Sequence, residues 1–258
     1  MLTSAKKYFF INALAKGISV LELLAENGEL TVSAVAEKLG FNRAGSHRFL
    51  ATLRELGYVE KKSDNRYFLT VKLLELGMKV ANHFEIRKAA RPFMQELSIA
   101  FRETVNLGYL DGLDVLHLDK IDGLEILRMD SSIGSRAPAY CTALGKAILA
   151  FLPSDQLHLI LDKLKLEKHG PNTIVSKKEL VIELDQIRNR GFAIDNEELS
   201  NGLRCVSAPV FDHTGLARYS ISVAGPTSRL SMKRIKQIQK HVKKACDNLS
   251  RQMGNTPD

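Results

Sequence analysis

Apolar residues recur at helical spacing through Ile11, Leu14, Ile18, Leu21, Leu24 and Ala25, which predicts a first helix. The pattern then shortens. Thr31 offers an N-cap hydroxyl for a helix over residues 31–39, and Gly40 follows where a left-handed C′ residue is wanted. Asn42 caps a second helix over residues 42–56, which Gly57 stops. Ser46, Phe49, Leu50, Leu53 and Leu56 share one face of it, and Arg43, Ala44, His47, Arg48 and Ala51 lie largely on the others. Residues 58–62 and 66–69 read as short strands flanking the turn Ser63-Asp64-Asn65. A helix–turn–helix followed by a β-wing places one helix N-terminus in a DNA major groove. A plain helical hairpin beside a β-ribbon would give the same pattern, so charge has to be weighed as well.

Beyond the wing, Leu73, Leu76, Met78, Val80 and Phe84 predict a linker helix, and Arg91-Pro92 is expected to break or restart it before a further helical face at Phe93, Leu97, Ile99 and Phe101. The domain boundary is expected near 72–86, within helix, where a stiff connection transmits orientation. This gives a winged helix-turn-helix over 1–72, a linker over 73–86 and a larger domain over 87–258. From Thr104 the period becomes strand-like. TVNLGYL and LDVLHLDKI flank the hairpin signal Asp111-Gly112, and LEILRMDS is expected as a third strand. Helices follow in CTALGKAILAFL, near residues 154–164, and in KKELVIELDQIRNRG, which ends at Gly191. RCVSAPVFD and LARYSISVAG are strands joined by His213-Thr214-Gly215, and a last helix carries Ile235, Ile238, Val242, Ala245, Leu249 and Met253 on one face. An antiparallel sheet with helices packed on it, an α+β domain, is the simplest architecture.

The chain has 258 residues, and its 45% hydrophobic content supports one or two real cores. Its formal charge of +8 suggests a polyanionic partner. That charge is uneven. Residues 1–72 carry eleven Lys or Arg against seven Asp or Glu, residues 73–228 carry eighteen against twenty, and residues 229–258 carry eight against two. The wing alone has Lys61, Lys62 and Arg66. Basic groups facing a groove release counterions from phosphates and raise affinity without reading sequence. Cys141, Cys205 and Cys246 are widely spaced and odd in number, which argues against a disulfide framework and for a reducing, cytoplasmic setting. No apolar run approaches 18 residues, so no membrane association is expected. The seven histidines form no HxH, HxxxH or HExxH pattern, and no Gly-rich phosphate loop occurs; neither a metal nor a cofactor is called for.

The segment GFAIDNEELSNGLRCVSAPVFD, from Gly191 to Asp212, closely resembles the C-terminal motif of the IclR family of bacterial transcription regulators. Its marks are Gly191, Asp195, Glu198, Cys205, Val206, Ser207, Val210, Phe211 and Asp212. HRFLATLRELGYVEK, TVNLGYLDG, GSRAPAYCTALGKAILA, Thr173-Ile174 and ISVAGPTSRL agree in order, so the resemblance covers essentially the full length. The opening YFFINALAKGISVLELL and the segment NRAGSHRFLATLRELGYVE look most like the branch regulating aromatic-acid (β-ketoadipate) catabolism. The resemblance implies a winged helix-turn-helix joined by a helix to a GAF-like effector domain. It also implies a dimer or dimer of dimers that controls a catabolic operon in response to a small metabolite. Family ligand positions map onto Ala143, Leu144, Asp195, Cys205 and Ser222. A second serine two residues after Ser222 is frequent in the family, and Ala224 stands there in this chain. One hydrogen bond to a carboxylate is thereby lost or replaced, which opens the site to acids other than two- and three-carbon keto acids.

The chemistry of these residues leaves alternatives. Thr142 is an N-cap candidate, and peptide N–H groups at a helix start suit a carboxylate, although small residues there also serve close packing. Lys146 can face a ligand, solvent, or a carboxylate such as Asp195 or Glu198. Asp195 and Glu198, read as a polar run just after a strand, could act as a general acid–base pair in a hydrolase, or orient the backbone around a pocket. Cys205 is a nucleophile only with a base beside it, and His117 and His213 are candidates on paper; a small buried side chain is the plainer role. A winged helix used for protein contact is a third reading. The reading carried forward is a regulator that binds double-stranded DNA through Arg43, Ala44, His47, Arg48 and Arg66 and senses a small organic acid.

Overall fold

The computed structural model describes residues 10–82, 85–125 and 132–255. The chain divides into two compact units, residues 1–84 and 85–258.

In the first unit, α1 (Asn12–Asn27), α2 (Val32–Leu39) and α3 (Arg43–Glu55) pack around Val20, Leu24, Val35, Leu50, Leu53 and Val59. The predicted caps form. Thr31 Oγ1 accepts from Ala34 N at 3.3 Å, and Gly40 takes the left-handed conformation. Asn42 Oδ1 accepts from Gly45 N at 2.6 Å, and a Cβ on Gly45 would sit only 2.9 Å from that oxygen. Ser46 is buried as its helical position predicts, whereas Leu56 is 52% exposed because it is the C-cap and lies past the packed face. The wing consists of β2 (Val59–Lys61) and β3 (Arg66–Leu69). A third strand was not foreseen: β1 (Leu30–Thr31) pairs with β3, placing Leu30 opposite Tyr67, so β3 is held on both edges. Two residues are too few to show a period of two. Helix α4 (Lys72–Asn82) closes the unit.

The second unit opens with α5 (Glu85–Phe101). Contrary to expectation, Arg91-Pro92 does not break it; Pro92 lies inside the helix. The lost N–H frees the carbonyl of Lys88, and both Lys88 and Pro92 are exposed, so water can satisfy that acceptor. A six-stranded antiparallel sheet follows in the order β6-β5-β4-β9-β8-β7. Its strands are β4 (Thr104–Asp111), β5 (Asp114–Ile121), β6 (Arg136–Pro138), β7 (Ala193–Asn196), β8 (Leu203–Phe211) and β9 (Ala217–Pro226). Most of LEILRMDS lies outside the described residues; Leu124 and Glu125 are not in a strand, and the edge next to β5 is taken by β6. The α+β architecture is as expected. α6 (Ala143–Leu149) follows a 3₁₀ turn at Ala139–Cys141, and α7 (Ser154–Lys163), α8 (Lys177–Arg190) and α9 (Met232–Gln252) complete the unit.

The two faces of this sheet differ in chemistry. Val105, Leu107, Ile221, Val223, Val206 and Ala208 alternate onto one face, all at most 2% exposed, and α5 and α9 pack over the sheet from that side. Each valine, leucine or isoleucine among them contributes roughly 1.5–3 kcal/mol on burial. The opposite face lies under α6 and carries Asn106, Ser220, Ser222, Cys205 and Asp195. Ser220 Oγ ties the two layers by donating to Leu144 O at 3.0 Å. Gly108 is needed on this face because a Cβ there would come within 3.2 Å of both Leu144 methyl carbons.

Candidate nucleic-acid interface and ligand pocket

The N-cap at Asn42 sets where α3 begins, and so where its first-turn side chains project. Arg43, Ala44, His47 and Arg48 are all exposed, and they line an open groove of about 970 Å³ together with Lys61 and Tyr67. Neither Arg43 nor Arg48 has an ion pair among the described residues, so both guanidinium groups are available to bases or phosphates. Sequence analysis named the wing as basic; Lys61 is the wing cation that shares the groove with α3. Four lysines of this unit lie over aromatic rings: Lys16 over Phe41 at 5.2 Å, Lys61 over Tyr67 at 5.7 Å, Lys62 over Phe68 at 5.5 Å, and Lys72 over Tyr58 at 4.7 Å.

Arg66, also expected at phosphates, is outside that groove lining and already engaged. It contacts Asp64 at 2.6 and 2.7 Å and Glu29 at 3.2 Å, while Lys62 pairs with the other oxygen of Glu29. Hydrogen bonds from Arg66 hold the Asp64 carboxyl below its ordinary range, and Asp64 in turn raises the guanidinium pKa. The turn end of the wing is therefore internally compensated, unlike the start of α3.

In the second unit, five residues singled out from the sequence line one small cavity of about 20 Å³: Ala143, Leu144, Asp195, Cys205 and Ser222. They come from four elements. Thr142 caps α6 by accepting from Gly145 N at 3.1 Å, which leaves the first-turn N–H groups of Ala143 and Leu144 without an intrahelical acceptor. A Cβ on Gly145 would fall 2.2 Å from Ala139 O, so only glycine lets the 3₁₀ turn and α6 approach this closely. Ser222 faces the cavity from β9, Cys205 from β8 and Asp195 from β7.

Asp195 lies within β7, opposite Cys205, and not after a strand as first read. Its Oδ1 accepts from the N–H of Glu198 at 2.8 Å and of Leu199 at 3.4 Å. Burial pushes its pKa up to about 7 despite those hydrogen bonds. Lys146 resolves to one of its alternatives: it is 1% exposed, its Nζ lies 2.5 Å from Glu198 Oε1 and 3.6 Å from Glu183, and Glu183 is bound in turn by Arg190 at 2.7 Å. Glu198 is thereby a structural partner of a buried lysine. Burial raises its pKa while Lys146 opposes the rise.

Burial, followed by the Asp195 and Glu198 charges, drives the Cys205 thiol well above its ordinary pKa, and the same causes push Cys141 up to about 12. Such thiols are poor nucleophiles. Among the lining residues not foreseen as pocket members are Asn106 on β4 and His117 on β5. Their signal was register: Asn106 pairs with Ser222, and His117 pairs with Gly108 two positions further along β4. Among the described residues no group of His, Cys, Asp or Glu is placed to hold a metal ion, and no helix is long and apolar enough to cross a membrane.

A winged helix presenting unpaired arginines, carried on the same chain as a helix-covered antiparallel sheet, defines the protein as a DNA-binding transcription regulator. Residues 13–63 match the model of the IclR helix-turn-helix domain, and residues 78–251 match that of the bacterial transcriptional regulator IclR C-terminal domain. The chain belongs to the IclR family. It is 35% identical over 245 residues to the HTH-type transcriptional regulator KdgR of Escherichia coli (strain K12), covering 95% of this chain and 93% of that one. It is 29% identical over 231 residues to the Pca regulon regulatory protein of Pseudomonas putida, covering 88% and 79%. The crystal structure of the Thermotoga maritima IclR superposes with a TM-score of 0.82 at 34% identity, covering 95% of this chain and 100% of that chain.

Proposed function

We propose that the protein controls a catabolic operon, binds a pseudo-palindromic operator as a dimer or dimer of dimers, and changes its DNA affinity when a small organic acid enters the α6 pocket. Residues 1–72 contact DNA, 73–86 link, and 87–258 bind effector. Arg43, Ala44 and His47 lie nearest base edges, and Arg48 and Arg66 nearest phosphates. The single observation that supports this reading most is the pocket, where polar groups from several strands meet under a helix whose first N–H groups have no intrahelical acceptor. A carboxylate suits those N–H groups and the Ser222 hydroxyl. Beside it, a protonated Asp195 avoids charge repulsion.

A sensor fits the pocket better than a hydrolase. The Cys205 thiol is held protonated, and Glu198 is occupied by Lys146. The aromatic-acid branch, suggested by residues 8–24 and 42–60, is the finer assignment within this proposal. Identity to the Pca regulon protein is lower than to KdgR, and a 20 Å³ cavity admits any organic acid only if its walls move, an aromatic one most of all. We place the protein in the cytoplasm, where its DNA partner is.

Dimerisation is supported by an apolar groove of about 780 Å³ in the first unit, lined by Leu14, Ile18, Leu21, Leu56, Leu73 and Leu76. Leu14, Ile18, Leu56 and Leu76 are each at least 42% exposed, more apolar surface than a lone three-helix module needs. Phe10, just before α1, is 54% exposed as well, and Phe9 lies outside the described residues.

A thermal-shift screen of aliphatic and aromatic acids tests the sensor, because a ligand raises the melting midpoint by mass action. Gel-shift titration on the adjacent promoter, repeated across salt concentrations, tests DNA binding. An operator affinity unmoved by every acid that raises the midpoint would overturn the coupling.

A further inference from the structure

On the α6 side of the sheet, the pocket reaches β5 at His117. The residue is 5% exposed, lines the pocket with Ser222, Cys205 and Asp195, and its Nδ1 has no hydrogen-bond partner. Its backbone is fixed on both sides: the N–H donates to Ser135 O at 3.0 Å and the carbonyl accepts from Gly134 N at 2.8 Å. A buried polar atom left without a partner destabilises the fold, a cost that a leucine or phenylalanine filling the same volume would avoid. The ring therefore earns its place by what enters the pocket.

Burial, with the Lys120 charge second, pushes the His117 pKa down. A neutral imidazole is no counter-ion for a carboxylate. It offers one N–H and one lone pair, which suits a hydroxyl or carbonyl. Its position separates it from the carboxylate end. β4 lies between β5 and β9, so His117 stands two strands across and two residues along from Ser222, roughly 11–12 Å at the usual strand geometry.

We propose that His117 is a specificity-determining residue of the pocket, and that its Nδ1 hydrogen-bonds a neutral polar group of the acid remote from the carboxylate. This rests on the α6 pocket being the organic-acid site. It makes the preferred ligand a bifunctional acid, long enough to span more than one strand.

The test is calorimetric titration of the full chain with chain-matched pairs: propionate and 3-hydroxypropionate, butyrate and 4-hydroxybutyrate, valerate and 5-hydroxyvalerate. At one chain length the hydroxy acid should bind about tenfold or more tightly than its plain partner. His117→Phe should erase that ratio, and His117→Gln, which keeps a donor and an acceptor, should restore part of it. The glutamine variant also serves if the phenylalanine variant does not fold. A ratio preserved in His117→Phe, no hydroxyl advantage at any length, or a ratio fully lost in a folded His117→Gln would overturn the role of His117 while the pocket reading stands. Failure of all six acids to bind would overturn both.

Discussion

The two units keep their functional groups on opposite sides of their cores. In the first, the core is apolar and Arg43, His47 and Arg48 stand outside it, so they can change without disturbing the fold. In the second, Asp195, His117, Ser222 and the Lys146–Glu198 pair are in the interior, all at most 6% exposed. A DNA-reading surface costs little stability. An interior pocket is made from polar groups that the fold must hold dry, so function and stability there are coupled.

The strongest way to break this contrast is Lys146→Met. It would leave Glu198 buried without its cation, and a loss of about 3–5 kcal/mol is expected in chemical denaturation. A loss below 1 kcal/mol would show the pair to be dispensable. Asp195→Asn is next. The folded protein holds a proton on Asp195 up to a pKa of about 7, whereas the unfolded chain releases it near 3.8. Stability should therefore fall as pH rises between those values, by on the order of 4 kcal/mol in total. The asparagine variant should lack that part of the slope in melts run from pH 4 to 8.

On the exposed side, Arg43→Ala should weaken operator binding by roughly 1–3 kcal/mol and relax its sequence preference, with stability unchanged within about 0.5 kcal/mol. A comparable loss of stability would erase the distinction between the units. Ser222→Ala should weaken acid binding by about 0.5–1.5 kcal/mol in calorimetry. The smallest effect is expected for Arg66→Ala. Asp64 and Glu29 already compensate this side chain, so the salt slope of DNA binding should change less than for Lys61→Ala.

The same contrast governs what the sequence could show. Helices α2 and α3 were legible because caps and period are local: Thr31, Gly40, Asn42 and Gly57 mark them without reference to the rest of the chain. The cationic face of α3 was legible for the same reason. The pocket is assembled from strands far apart in the chain, so its members Ala143, Asp195, Cys205 and Ser222 were reached through family resemblance. Asn106 and His117 were missed because only pairing register brings them to that face. Lys146 could not be settled from its position on a helix, since its partner Glu198 follows 52 residues later. Pro92 misled because the penalty of a proline depends on whether water can reach the freed carbonyl, and no local pattern reports that.

The stacking of Lys61 on Tyr67 bears on how tightly such a surface can hold a polyanion. A free lysine side chain samples many rotamers, and freezing it against a phosphate costs up to roughly 2 kcal/mol of entropy. The Tyr67 ring beneath the Lys61 ammonium group narrows that sampling before any DNA arrives. If the groove binds DNA as proposed, Lys61 meets it partly ordered, and more of that contact's enthalpy remains as affinity.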